Sequence, residues 1–311
     1  MVWSTRFEAY AGGQKAPRGG LDGGGLDADA LGAVLREYRR TVAKRYRVLS
    51  ADLIERALPA GSLWISSKLD GELWFLVKRA GQVALCAYNG RVLVGTPLVK
   101  EAERWLKAQG DLVIAGELVA VPEEGRPRVQ HVATALGRSE GEKSLSFFAF
   151  DLVQAEGKSA FGTPYAERMA TLEKLFCKGE RIQVVLTVRG ESSDAASYYR
   201  EWVGTQRFEG IVVRSDVGLT YKIKPMFSLD AVLVAYGARV TSGVAELREM
   251  SVALRRDDGS LQLLGSVGGG FAAGDRVAWY QRLMAMEVKS AFRMANRDGT
   301  LCRFVRPEIV V

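Results

Sequence analysis

The chain offers little to the commoner catalytic chemistries. Its 311 residues hold one histidine, His131, and three scattered cysteines, Cys86, Cys177 and Cys302. A single histidine excludes His-rich metal sites and leaves Ser-His-Asp catalysis almost without material. Three cysteines with no Cys-x-x-Cys pair make neither a four-cysteine zinc module nor a disulfide framework. No apolar run approaches the roughly 18 residues of a membrane span. The N-terminal MVWSTRFEAYAGGQKAPRGG carries charges and glycines where a signal peptide has its apolar stretch. A cytoplasmic protein without membrane contact is expected. Phosphate loops of the GxGxxG or GxxxxGK[ST] type are missing as well, which removes the main support for Rossmann and P-loop folds.

Catalysis, if present, must therefore run on Lys, Asp, Glu and Arg. The 43 Lys+Arg against 36 Asp+Glu give a net charge of +7, a modest lean toward a polyanionic partner. Hydrophobic content of 48% is ordinary for a folded protein, and the length suits two domains.

Along the chain, residues 11–26 (AGGQKAPRGGLDGGGL) read as a Gly-rich arm. A helix follows from about Asp27 to Val48, with Asp27 and Asp29 as N-cap candidates and Leu31, Val34, Leu35, Tyr38 and Val42 on one face. Its basic stretch RRTVAKRYR reads either as a solvated face or as a phosphate-contacting one, with Arg39, Arg40 and Lys44 as the candidate nucleic-acid contacts. Strands are expected at 73–78, 83–88, 112–121, 146–153, 182–188, 210–214 and 220–224, interrupted by helices near 98–109, 165–177 and 194–206. Alternation this loose predicts an α+β domain on a mixed or antiparallel sheet. Pro225 marks a break. Beyond it, short strands at 231–236, 250–256, 261–267 and 301–305, with one helix near 273–287, suggest a small OB-fold β-barrel. The expected division is an arm and basic helix (1–47), an α+β domain (48–224) and a barrel (225–311).

Four phrases carry chemistry. Ser67-Lys68-Leu69-Asp70-Gly71 alone reads as a charged turn. Glu117 sits inside the apolar run LVIAGELVAV, where a carboxylate needs a partner or an ion, unless it faces solvent. Glu209 opens the apolar strand EGIVVR. In Tyr221-Lys222-Ile223-Lys224, residues two apart share a strand face, so two lysines converge and call for an anion between them. A Lys-x-Lys edge strand guarding against aggregation is the other reading.

Taken together, SKLDG, GEL, FFAFD (147–151), EGIVVR and YKIKP resemble, in order and separation, the covalent nucleotidyltransferase superfamily of polynucleotide ligases and mRNA capping enzymes. The resemblance covers roughly residues 48–311 and is nearest to bacterial ATP-dependent DNA ligases; LLGSVGGGF (263–271) and FVRPEIVV (304–311) resemble their OB-domain phrases. It implies a nucleotidyltransferase (adenylation) domain followed by the OB-fold. Lys68 would be the nucleophile that takes AMP from ATP. Asp70 and Gly71 complete its loop, and Glu117 and Glu209 serve ribose contact and Mg²⁺ binding. Phe150 would stack on adenine, a core phenylalanine being the alternative, and Lys222 and Lys224 would hold phosphate. A free lysine, with a pKa of about 10.4, is protonated and cannot attack; nearby cations, here Lys222, Lys224 and Mg²⁺, favour its neutral form. AMP would then pass to a DNA 5′-phosphate and be displaced by the 3′-hydroxyl, sealing a nick in duplex DNA, for which a monomer suffices.

Departures from the pattern are visible. Leu73 and Tyr88 stand where the family often has arginines, leaving Arg91 or Arg79 as replacements, and Ser66 stands where many ligases have an acid. The chain stops where ligases continue into a basic motif that orients pyrophosphate, so slow self-adenylation is expected, with sealing of a pre-adenylated nick less affected. The competing readings are an RNA ligase with the same chemistry and a catalytically impaired nucleic-acid-binding relative. The OB phrases oppose the first; retention of Lys68, Glu117, Glu209, Lys222 and Lys224 opposes the second.

Overall fold

The computed structural model describes residues 30–311 apart from 139, 206, 217, 273, 297 and 298. The Gly-rich arm and the caps expected at Asp27 and Asp29 lie outside the described residues. The chain divides into two compact units, one ending at Met226 and the other spanning Phe227–Val311. No described helix is long and apolar enough to cross a membrane.

The first unit holds two sheets, mixed as expected and largely antiparallel. A five-stranded sheet runs Arg47–Leu49, Thr220–Ile223, Gly210–Ser215, Leu63–Lys68, Thr187–Gly190. A larger sheet runs Val92–Leu93, Gln82–Cys86, Glu72–Arg79, Leu112–Ala120, Leu145–Ala155, Lys158–Ser159, with Ile182–Val184 parallel to Leu145–Ala155. The segment expected as one strand over 182–188 is thus two short strands, one in each sheet, that carry the chain between them.

Period-2 alternation sorts the five-stranded sheet into two faces. Leu63, Ile65, Ile211, Val213, Tyr221 and Ile223 are buried against the helix Ser192–Gly204 through Ala195, Ala196 and Trp202. The other face presents Ser66, Lys68, Val212, Arg214 and Lys222, as the pairings Ser66↔Val212↔Lys222 and Lys68↔Gly210 require. SKLDG is therefore not simply a turn: Lys68 ends a strand that began at Leu63.

The basic helix is Ala30–Thr41. Leu31, Leu35 and Tyr38 bury its apolar stripe against Phe75, Val77, Val113 and Val153 of the larger sheet, so it packs as part of the first unit. A buried polar knot sits beside it. Asp151, fully buried, accepts from Tyr38 Oη (3.1 Å), Arg168 Nε (2.8 Å) and Arg214 Nη1 (3.4 Å). Arg214 Nη2 donates to Tyr46 Oη at 2.6 Å. Burial pushes the Tyr38 phenol well up, and the charge on Asp151 pushes the same way, so Tyr38 remains a donor.

In the second unit the four strands lie in the order Leu261–Val267, Val244–Arg255, Val232–Thr241, Arg303–Phe304. Among the described residues no pairing closes them into a barrel. The hairpin is longer than the expected 231–236 and 250–256, because Ser242 and Gly243, at φ of 52° and 81°, turn the chain tightly and let polar residues pair beyond the apolar core. The helix is Asp275–Met284.

The Asp151 knot generates the first prediction. Replacing Asp151 with Asn leaves two buried guanidinium groups without their counter-charge and should cost about 3 kcal/mol or more. Thermal unfolding followed by circular dichroism should show the first unit melting earlier; an unchanged transition would mean that the knot adds nothing to stability.

Candidate active site

The two sheets of the first unit enclose a cavity of about 200 Å³. The five-stranded sheet contributes Ser66, Lys68, Val212 and Lys222, and the larger sheet contributes Leu73, Glu117 and Phe150. Four residues expected to act together, Lys68, Glu117, Phe150 and Lys222, thus line one space. Arg214, Tyr46 and Tyr165 line it too, and all three also border a larger cavity of about 780 Å³. Phe150 is only half-buried and its ring belongs to the cavity wall; its carbonyl accepts from Tyr165 Oη at 3.3 Å.

At the end of the cavity Lys68 Nζ contacts Glu209 Oε2, and Lys224 Nζ donates to Glu209 Oε1 at 2.9 Å. The lysine was expected to have cations as neighbours; the group in contact with it is a carboxylate. Burial works to raise Glu209, but hydrogen bonds and charge from Lys68 and Lys224 outweigh it and hold the carboxyl below its ordinary value. Backbone pairing fixes this arrangement: Lys68 faces Gly210, and Glu209 N–H donates to Lys68 O at 2.9 Å. A Cβ on Gly210 would lie 2.1 Å from Ile223 O, so the strands meet this closely only because the residue after Glu209 is glycine.

Glu117 behaves oppositely. Burial pushes its carboxyl up to about 7, with Glu209 and Asp70 adding to the rise while Lys68 and the Gly71 N–H oppose it. That N–H donates to Glu117 Oε1 at 3.1 Å. Gly71 has its own steric reason: a Cβ there would sit 2.3 Å from Leu118 O. Asp70 faces Arg126, Oδ2 to Nη2 at 4.0 Å.

The remaining candidates are elsewhere. Arg39 lies over the Tyr88 ring at 4.0 Å, Arg40 pairs with Glu37 at 2.7 Å, and Lys44 is exposed; none lines the cavity. Arg91, expected as a replacement cation, is instead paired with Glu72 and lies 5.0 Å from the Trp74 ring. Asp151 and Arg214 stand inside the quoted phrases FFAFD and EGIVVR, yet sequence reading gave them no role; an acid ending an apolar run was the available signal.

Among the described residues no three His, Cys, Asp or Glu side chains gather as a metal site. A Mg²⁺ ion held largely by phosphate oxygens needs only one or two carboxylates. Glu117 and Glu209 fit that need, and a cation would relieve the electrostatic strain that raises Glu117.

Comparison with known proteins agrees with this geometry. A family model described as the ATP dependent DNA ligase domain matches residues 41–226. A probable DNA ligase of Streptomyces griseus is 26% identical over 92% of this chain, and one of Nocardioides sp. is 30% identical over 66%. The chain spans 59% and 42% of the lengths of those two relatives. The solved structure Pmar-Lig_PreS3 superposes with a TM-score of 0.59 at 19% identity, covering 86% of this chain and 68% of that one, a likeness of fold.

The shifted Glu117 sets a pH dependence. Between about 4.5 and 7 the folded chain holds a proton that the unfolded chain releases, so stability falls as pH rises through that window. Glu117→Gln abolishes this slope: its melting temperature relative to wild type should be higher at pH 8 than at pH 4. A difference that does not change with pH would refute the shift.

Proposed function

The chain belongs to the ATP-dependent DNA ligase domain family over residues 41–226, and from that premise we propose that it seals nicks in duplex DNA through a covalent lysyl-AMP. The observation that carries this reading is Lys68 at the end of a cavity lined by Glu117, Phe150 and Lys222, with Glu209 bridging it to Lys224.

In this reading ATP enters with adenine against Phe150, between the two sheets. Its ribose lies toward Glu117 and its phosphates toward Lys222, Lys224 and Lys68. Lys68 Nζ, having released a proton to water, attacks the α-phosphorus, and the bond from that phosphorus to the oxygen bridging to the β-phosphate breaks to release pyrophosphate. Lys222 and Lys224 stabilise the charge on the transferring phosphoryl group. Mg²⁺, held by Glu117 and Glu209, would supply further charge neutralisation. A DNA 5′-phosphate oxygen then displaces Lys68 to give a 5′-adenylated strand, and the 3′-hydroxyl displaces AMP to form the phosphodiester. We read the second unit as an OB-type module, supported by its long bulged hairpin and the helix before its last strand.

Intact mass tests the first step. After pyrophosphate treatment to strip any bound nucleotide, wild type should gain one AMP from ATP and Mg²⁺, and Lys68→Ala should gain none. Absence of AMP on the wild type under every condition, together with failure to seal a pre-adenylated nick, would sink the enzyme reading. The helix Ala30–Thr41 and the turn after it are proposed to touch DNA: replacing Arg39, Arg40 and Lys44 together with Gln should weaken nicked-duplex binding several-fold at low salt. Unchanged affinity would remove this segment from the footprint.

A further inference from the structure

A third cavity, an open cleft of about 1060 Å³, lies within the first unit. Arg126, Arg128 and His131 line it from the segment that follows the strand Leu112–Ala120, and Arg207 from the turn after the helix Ser192–Gly204; Glu124 and Glu201 line it as well. Two of its lining arginines connect it to the segments that carry Lys68 and Glu209. Arg126 faces Asp70, which is two residues beyond Lys68. Arg207 is two residues before Glu209, whose carboxylate contacts Lys68.

The guanidinium groups here are largely uncommitted. A 4.0 Å separation is too long for a hydrogen bond, so the ion pair with Asp70 leaves the donors of Arg126 unspent. Among the described residues, the side chains of Arg128 and Arg207 make no ion pair; Arg207 only lies 5.2 Å from the Phe208 ring. His131 Nδ1 accepts from the Arg128 N–H at 3.2 Å, which places the ring proton on Nε2 as a further donor. Three planar forks and an imidazole N–H around one cleft suit phosphate oxygens, which arginine binds in bidentate fashion.

We infer that this cleft grips the sugar-phosphate backbone of the nucleic-acid strand presented to Lys68, with Arg126 and Arg207 as its principal cations. The inference rests on the ligase reading and deepens it by naming residues for the DNA step. Strand phosphates are favoured over the triphosphate of ATP because the nucleotide cavity already has Lys68 and Lys222 within it and Lys224 on Glu209. The cleft is also several times larger than that cavity, and none of those lysines lines it.

The test measures binding of a 5′-phosphorylated nicked duplex by fluorescence anisotropy across a series of KCl concentrations. Arg126→Gln, Arg126→Lys and Arg207→Gln are compared with wild type, and the KM for ATP in lysyl-AMP formation is followed in parallel. Each Gln variant should raise Kd about tenfold at low salt and flatten the log Kd against log salt slope by about one. Arg126→Lys should keep the wild-type slope while losing part of the affinity, since it retains the charge without the fork. Unchanged Kd and slope in both Gln variants would overturn the inference. So would a raised KM for ATP with unaltered nick binding, which would assign the cleft to the nucleotide's own phosphates. Failure of wild type to form lysyl-AMP would count against the ligase reading alone, because the duplex titrations decide this inference without it.

Discussion

A single buried carboxylate joins the pieces between which the cavity lies. Asp151 belongs to the larger sheet, Arg214 to the five-stranded sheet, Tyr38 to the helix Ala30–Thr41 and Arg168 to the helix Tyr165–Phe176. Two packed sheets could slide along one another with little change in buried apolar area, because the hydrophobic effect has no direction. A carboxylate shared by two guanidinium groups and a phenol has strict geometry, and misplacing it would strand charge in a low-dielectric interior. The knot therefore fixes the separation of the sheets. Phe150, the residue before Asp151, and Val212, two before Arg214, are held on facing sides of the cavity as a result.

Two carboxylates, Glu117 on the cavity wall and Glu209 against Lys68 at its end, are driven apart electrostatically. Glu209 accepts from two lysines and stays ionised, whereas Glu117, buried with one backbone N–H as its hydrogen-bond donor, titrates near 7. Such divergence between neighbouring acids is what separates their chemical roles. Glu209 is the permanent anion that lets Lys68 and Lys224 approach one another. Glu117 is the acid whose charge state responds to whatever cation arrives. The anion expected between Lys222 and Lys224 is found elsewhere: Glu209 lies between Lys224 and Lys68, while Lys222 lines the cavity.

Much of this was legible in the sequence, and the illegible part has identifiable causes. The alternation in TYKI placed Lys222 on one face, and the register with Val212 and Ser66 put that face on the cavity. The strand ending at Lys68 went unread because Ser66 and Ser67 dilute its β-propensity; pairing on both sides, with Gly210–Ser215 and Thr187–Gly190, supplies what local propensity lacks. The Asp151 knot could not be read because its partners lie 113, 17 and 63 residues away. The same holds for the contact between Lys68 and Glu209, separated by 141 residues. Recognised motifs brought those two lysine and glutamate positions together, but only folding shows that they touch.

The departures at Leu73 and Tyr88 follow from where each kind of residue sits. The residues we propose for the chemistry are on strands or at strand ends: Lys68, Glu117, Glu209, Lys222 and Lys224 are each fixed by pairing or by the residue next to a paired one. Moving any of them by one position would turn its side chain to the opposite face. Cations that grip a flexible, repeating phosphate backbone face a looser requirement, since a long side chain reaching from a loop serves as well as one from a strand. Leu73 pairs with Glu117 and packs as an apolar wall of the cavity, so a guanidinium there is dispensable if another element supplies one. Arg126 and Arg207 lie outside the strands, Arg126 facing Asp70 and Arg207 two residues before Glu209. The fold thus constrains the lysines and carboxylates of the cavity by position, and the two arginines we assign to strand phosphates only by reach.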